Sequence, residues 1–286
     1  LAPMRLGGFE VLSSATAAGG LLPSGGNGGA ASEHASTSQL RVLRHALTLV
    51  PVYGGLTMVL WVGLLIAGDP ALVALCHAMS TLATSGISPL GGLDQAQSGG
   101  AGEVLILLFL IPALSRRFWP GGQELRANAP WDRDPELRLA IGLIVAVPMI
   151  LFLRHWIASF DYPLVVETGK LAMAIWGGVF TVLSFLTTTG FESAEWAEAR
   201  SWSGLGTPGL VLAGLAITGG GVATTAGGVK LLRVYALLRH GERELERLVH
   251  PSSVGGGGIM ARRLRRDGAF VAWVFFMLFA MSIAVV

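Results

Sequence analysis

Two hydroxyl-rich strings ending in glycine recur 104 residues apart in this 286-residue chain. One is His77-Ala-Met-Ser-Thr-Leu-Ala-Thr-Ser-Gly86-Ile-Ser; the other is Thr181-Val-Leu-Ser-Phe-Leu-Thr-Thr-Thr-Gly190-Phe-Glu. Aligned on the glycines, Ser80 meets Ser184, Leu82 meets Leu186, Thr84 meets Thr188 and Ile87 meets Phe191. Such residues can coordinate a dehydrated alkali cation. The ion needs several oxygens in place of its water shell, and backbone carbonyls lining a narrow loop can supply them. Turning successive carbonyls toward one axis takes the chain out of its usual dihedral basins, which glycine allows at Gly86 and Gly190. The hydroxyls of Thr84, Ser85, Thr188 and Thr189 can hold the loop or add an oxygen. A half-helix feeding such a turn aims its partly negative C-terminus at the cation. The plainer reading is a helix end, with hydroxyls near the C-cap followed by glycine. Two copies at matched positions favour a repeated structural unit.

A third string, Thr218-Gly-Gly-Gly-Val-Ala-Thr-Thr-Ala-Gly-Gly-Val-Lys230, interrupts an apolar run. It is not a phosphate-binding P-loop: Val229 separates Gly228 from Lys230, Leu231 follows the lysine, and the preceding segment is membrane-like rather than a strand. Its five glycines with Thr224 and Thr225 predict a broken membrane helix holding a non-helical segment, with helix beyond it over Leu231–His240. Close packing of helices through small residues is the compatible alternative. Single residues carry less. Cys76 excludes an internal disulfide and a multi-cysteine metal site, and both Cys76 and His77 read as packing residues. Asp132, Asp134 and Glu136 read as charges at a helix N-terminus. No Ser/His/Asp set or carboxylate pair stands out, so no enzyme is indicated.

The elements that must carry these strings are membrane helices. The chain is 52% hydrophobic and 13% charged, against about 25% charged in soluble domains. Apolar windows at Thr48–Ala67, Val104–Leu114 with its flanks, Leu137–Leu153, Gly209–Ile217 with its continuation, and Ala269–Val286 approach the ~20 residues that span a hydrocarbon core. The first residue is Leu1 and the last window is cut in mid-run, so a fragment truncated at both ends is expected. Basic residues gather at Arg116, Arg117, Arg126, Arg133 and Arg138, and again from Lys230 through Arg266. The positive-inside rule makes those loops cytoplasmic. Asp69–Glu103 has no Lys or Arg, so both repeated strings fall outside, between two spans. Pro70–Ala83 and Leu171–Leu186 then read as re-entrant half-helices; the alternative is two interfacial loops that never enter the membrane. Non-helical backbone at membrane depth survives only where protein buries it or it lines a watery cavity, which favours a pore. Glu192, Glu195 and Glu198 either concentrate cations at its mouth or form a solvated surface. Ser13–Ser38 and Ser252–Gly258 read as flexible linkers, and Arg239–Leu248 as a cytoplasmic helix.

These motifs, in this order, resemble the TrkH-type potassium-transporting subunits of the Trk/Ktr/HKT superfamily. Ala83-Thr-Ser-Gly-Ile-Ser88 resembles the family's second filter loop and Thr187-Thr-Thr-Gly-Phe191 its third. Gly219 to Lys230 resembles the intramembrane gating loop, and Asp134–Arg138 and Arg243–Pro251 are similar to flanking segments. The resemblance implies an all-α membrane protein with two complete helix–re-entrant pore helix–helix repeats of a pseudo-fourfold ion pore. It divides the chain into 1–40 (end of repeat one and a cytoplasmic loop), 41–120 (repeat two), 121–250 (repeat three, with a broken closing helix) and 251–286 (linker and first helix of repeat four). The first and fourth filter loops would lie elsewhere. The implied function is potassium uptake across the bacterial inner membrane, the ion bound by Thr84, Ser85, Gly86, Thr188, Thr189 and Gly190. The implied gate comprises Gly219, Gly220, Gly221, Ala223, Thr224, Thr225, Gly227, Gly228 and Lys230. A homodimer in membrane lipid, docked on a cytoplasmic nucleotide-binding TrkA-like regulatory subunit, is implied as well, with no cofactor beyond the transported potassium ion and no nucleic acid. A sodium-permeable or weakly selective transporter and a non-conducting scaffold that keeps the fold are the alternatives. The chain departs from the family at Ile87, where Phe is common. It departs again at Gly221, Val222, Ala223 and Thr224, which stand where the gating loop usually reads Cys-Ala-Gly-Ser.

Overall fold

The computed structural model describes residues 30–119, 134–158, 168–203 and 208–249, together with 273, 274, 276, 277, 280 and 281. Among them there is helix and no strand. Residues 1–29, Arg126, Asp132, Arg133 and the linker at 252–258 fall outside the described residues, as does most of the last apolar window. Helix α1 spans Ala30–Ala67. Residues 30–38 are therefore helical, which corrects the expectation of a flexible loop through Ser38: the glycines cease at Gly29, and the Ala, Ser and Glu that follow are compatible with helix. Within α1, Leu49–Ala67 is 19 residues of uncharged apolar helix, about 28 Å at 1.5 Å per residue and enough to cross a hydrocarbon core of about 30 Å. Gly68, at φ +112°, ends it, and Pro70 leads into α2, Ala71–Ala83. Its 13 residues reach only about 20 Å, too short to cross.

Helix α3, Gly99–Leu110, continues through 3₁₀ turns at Ile111–Leu114 and Arg116–Phe118. It runs antiparallel to α1, and bonds at both ends fix the pair. At one end the Asp69 carboxylate accepts the Ser98 N–H at 2.8 Å and the Ser98 hydroxyl at 2.9 Å. At the other the Trp119 indole stacks on Tyr53, centroids 4.3 Å apart, and donates to the Pro112 carbonyl at 2.9 Å. Everything between Asp69 and Ser98 thus leaves and returns at the same end of the α1/α3 pair.

Further helices follow in the second half of the chain. Helix α4 is Pro135–Ala158, α5 Thr168–Leu186, α6 Trp196–Ser203, α7 Pro208–Thr218 and α8 Leu231–Val249. Pro135–Leu153 is the second helix segment long and apolar enough to span a membrane. Only 11% of the first segment and 17% of the second is buried inside the molecule; their apolar side chains, among them Val59, Ile66, Val145 and Met149, lie on the outside. A soluble core helix would show the reverse. The interior is formed by Leu60 and Leu64 of α1, Ile106 and Leu110 of α3, Phe180, Leu183 and Leu186 of α5, and Leu212 and Leu215 of α7. In lipid, apolar surface alone does not drive helices together, so close packing and buried polar bonds carry more of the specificity. Several of those bonds lie at or beside the two repeated strings.

Candidate functional site

Helices α2 and α5 end in the same backbone turn. Thr84 lies at φ 49° and Thr188 at φ 58°, and the glycine two residues later is again positive, Gly86 at 66° and Gly190 at 85°. The Thr84 N–H bonds the Thr81 carbonyl at 3.2 Å and the Ser85 N–H bonds Ser80 at 3.0 Å; the second copy pairs Thr188 with Phe185 at 3.0 Å and Thr189 with Ser184 at 2.9 Å. This is a Schellman cap, so the plain helix-end reading is correct as far as it goes. A cap needs only one left-handed residue, usually glycine. Here threonine takes that place, although a β-branched side chain at positive φ is an outlier, and glycine supplies a second positive φ beyond it. Backbone held this way is a mark of functional sites.

The two turns meet. A β-carbon on Gly86 would strike the Thr189 carbonyl, while one on Gly190 would meet nothing within 4 Å. After each glycine the chain returns along the helix it has just left. His77 Nε2 lies 2.9 Å from Ser88 Oγ, and the Ser193 N–H bonds Thr181 Oγ1 at 3.3 Å. Gly177 accommodates this return limb: a β-carbon there would come within 2.6 Å of the Glu195 carbonyl.

One supporting residue, Glu103, escaped the sequence reading, and His77 does more than pack. His77, read as packing, is fully buried; it holds Ser88, stands edge-on to Phe191 with centroids 5.8 Å apart, and lies 3.9 Å from the Asp69 carboxylate. Glu103 of α3 is buried and grips the other half of the molecule. It accepts from Trp176 Nε1, Ser193 Oγ and the Ala194 N–H, each at 2.7 Å. A buried carboxylate needs such donors, but its partners lie far along the chain, beyond any local motif. Glu192, Glu195 and Glu198, in contrast, make no bond to either turn among the described hydrogen bonds, and Cys76 is a free, half-buried thiol. No group of three or more metal-binding side chains occurs among the described residues.

The glycine-rich string does interrupt a helix: α7 stops at Thr218 and α8 starts at Leu231. Gly219, Gly228, Ala223 and Lys230 all have positive φ. The loop seats on the end of the first half. The Gly221 N–H bonds the Ala113 carbonyl at 2.9 Å, Thr224 Oγ1 reaches the same carbonyl at 3.1 Å, and a β-carbon on Gly221 would lie 2.5 Å from the Leu114 carbonyl. Glu136, buried in the first turn of α4, accepts from the Val222 N–H at 3.3 Å. Asp134 behaves as expected of a capping charge, accepting from the Glu136 N–H at 3.2 Å, and also holds Ser115 at 3.0 Å and Arg117 at 3.1 Å. The Lys230 ammonium folds back onto the Ala226 carbonyl. Thr225 makes no described bond. Finally, the Gly227 N–H donates to Thr188 Oγ1 at 2.6 Å, so the loop touches the second turn directly.

Long helices with apolar outer faces, interrupted helices, and buried polar groups gathered around paired backbone turns define an α-helical membrane protein. Comparison with known proteins gives the family. The TrkH family model, described as a cation transport protein, matches residues 124–286. The chain belongs to this family, one of transporters rather than enzymes. It is 31% identical over 242 residues to the Trk system potassium uptake protein TrkH of Salmonella typhimurium and 30% identical to that of Escherichia coli K12, matching 84% of this chain and 48% of each relative. The Trk system potassium uptake protein TrkG of Escherichia coli is 26% identical over 226 residues, 76% of this chain and 42% of the relative. The crystal structure of the potassium transporter TrkH from Vibrio parahaemolyticus superposes with a TM-score of 0.62 at 25% identity, covering 97% of this chain and 55% of the other. The chain spans about half the length of the curated relatives it matches.

Proposed function

We propose that this chain supplies two adjacent quadrants of a potassium-conducting pore in a bacterial inner membrane. The observation that carries the proposal is the pairing of two turns with the same left-handed threonine and positive-φ glycine, set against each other at Gly86 and Thr189. Helices α2 and α5 are the re-entrant half-helices, each leaving and re-entering on the outer side. Backbone carbonyls of Thr84–Gly86 and Thr188–Gly190 replace the water around the ion, while the hydroxyls of these residues hold the turns. The remaining quadrants come from the portion of the family architecture that this chain does not match. The loop from Gly219 to Gly228 obstructs the path beneath the turns, seated on Ala113, Leu114 and Glu136. Selectivity for potassium over sodium, a multi-pass inner-membrane location, homodimer formation and a cytoplasmic nucleotide-binding regulatory partner belong to the same reading, supported by the family and by relatives named as Trk potassium uptake proteins.

The test is Gly190→Ser in the full-length protein. A β-carbon added to Gly190 meets nothing within 4 Å, so on this reading the hydroxymethyl group enters the ion path with no neighbour to displace. Uptake competition between K⁺ and Na⁺ is expected to show at least a several-fold loss of discrimination. Unchanged discrimination, with normal insertion into the membrane, removes the filter assignment.

A further inference from the structure

The two turns share their backbone but not the use of their threonine hydroxyls. Thr84 Oγ1 donates to the carbonyl of its own neighbour Ala83 at 2.8 Å. Thr188, at the equivalent position, has its hydroxyl turned to the glycine-rich loop, accepting the Gly227 N–H at 2.6 Å. The approach is close on both sides: a β-carbon on Gly227 would lie 3.2 Å from Thr188 Oγ1 and 3.6 Å from its Cβ. No other hydroxyl of the two turns bonds the loop among the described hydrogen bonds. Ser85 Oγ bonds Ser80 Oγ at 3.2 Å, and Thr189 Oγ1 pairs with Thr187 Oγ1 at 3.0 Å. The φ of 58° at Thr188 is unfavourable for a β-branched residue, so bonds to the turn, the one from Gly227 among them, contribute to holding it.

We infer that Thr188 is a positioning residue that couples the two sites: its hydroxyl ties the ion-coordinating turn to the glycine-rich loop, so that the ion held by the turn and the seating of the loop influence each other. This rests on the filter and gate reading above. Coupling between two binding or conformational equilibria is reciprocal. A loop that leaves its seat withdraws the Gly227 N–H and frees the strained turn. A cation that fits the turn holds Thr188 in place to accept from Gly227 and so keeps the loop seated. Thr224, which anchors the loop to Ala113 without touching either turn, is the natural comparison.

The test is amide hydrogen exchange in the full-length protein, followed in the peptide covering residues 219–230, in K⁺ and in Na⁺ at equal ionic strength. Exchange around Gly227 is expected to be slower in K⁺ by about fivefold or more, the lower end of ordinary allosteric coupling. Thr188→Ser, which keeps the acceptor, should preserve that ratio, and Thr188→Val, which keeps the shape and loses the acceptor, should abolish it. Thr224→Val should speed exchange in both ions and leave the ratio standing. Equal exchange in the two ions for the unsubstituted protein overturns the coupling, and so does an unchanged ratio in Thr188→Val. If Thr188→Val does not fold, the unsubstituted protein and Thr188→Ser still decide: an ion-dependent ratio in both supports the coupling, and its absence from either overturns it. Loss of the filter reading is recognised separately, by unaltered selectivity in Gly190→Ser.

Discussion

Gly86 and Gly190 occupy matching positions and resist substitution for different reasons. Each has a positive φ, which costs an L-residue about 1–2 kcal/mol. At Gly190 the cost ends there, because an added β-carbon meets open space. At Gly86 the β-carbon runs into the Thr189 carbonyl, backbone that can yield only by separating the two turns, and overpacking of this kind adds about 1–3 kcal/mol. Gly86→Ala should therefore lower the thermal stability of the full-length protein clearly more than Gly190→Ala; equal losses would mean that the turns do not abut. The sequence made both glycines legible, since only glycine enters that backbone region freely. It could not reveal that Thr84 and Thr188 are left-handed too, because threonine is the wrong residue by propensity and surrounding structure imposes the conformation. His77 does pack, fully buried and edge-on to Phe191, and its further role stayed hidden for a related reason. A lone histidine in an apolar helix looks like packing until Ser88 is seen 2.9 Å from its ring.

Among the elements, the interrupted helix was the most legible and its anchors the least. Glycine density announced the break after Thr218, yet nothing local connected Val222 to Glu136, 86 residues earlier. Glu136 sits where a charge at a helix N-terminus is expected, and that ordinary explanation concealed its second role. The seated loop carries opposing contributions that substitution can separate. Removing the carboxylate in Glu136→Ala leaves the buried Val222 N–H without an acceptor, a cost of about 1–3 kcal/mol, and, on the proposed reading of the loop as a gate, should raise flux through the full-length protein in its closed state. Ala223 acts in the other direction. It has a φ of 59° at the position where the resembling family's loop carries glycine. Ala223→Gly relieves about 1 kcal/mol of left-handed strain and should reduce the same closed-state flux. Flux assays in vesicles read both; shifts of the same sign would show that the loop's seating does not set the flux. The first helix also departs from expectation, since its start at Ala30 extends into a segment whose Gly, Ala and Ser content suggested a linker. Alanine and serine serve both states, and only glycine argues strongly for the loop.

At the scale of the whole molecule, the two halves share one apolar interior and are tied together by polar bonds as well. Composition and charge distribution disclosed a helical membrane protein, and internal similarity disclosed that its turns are repeated. The tie between the repeats stayed hidden because Glu103 lies in a plain apolar stretch, 73 residues from Trp176 and 90 from Ser193. It reaches from α3 to both α5 and the limb that returns from Gly190, so it fixes the second turn relative to the first. Helices in lipid gain little from apolar contact alone, which gives this cluster a large share in holding the halves in register. Glu103→Ala strands three donors, two side-chain and one backbone, each costing about 1–3 kcal/mol if left buried and unpaired. Glu103→Gln keeps an acceptor oxygen and should be milder. A ligand that binds only the folded state raises the unfolding temperature according to its affinity. K⁺ should therefore protect the unsubstituted full-length protein against heat more than Na⁺ does. In Glu103→Ala two changes are expected together: a lower baseline unfolding temperature and loss of the extra protection by K⁺, since displaced turns no longer favour one ion. A lower baseline with the K⁺ increment intact would make Glu103 a support of the fold alone and return the alignment of the turns to the Gly86–Thr189 contact.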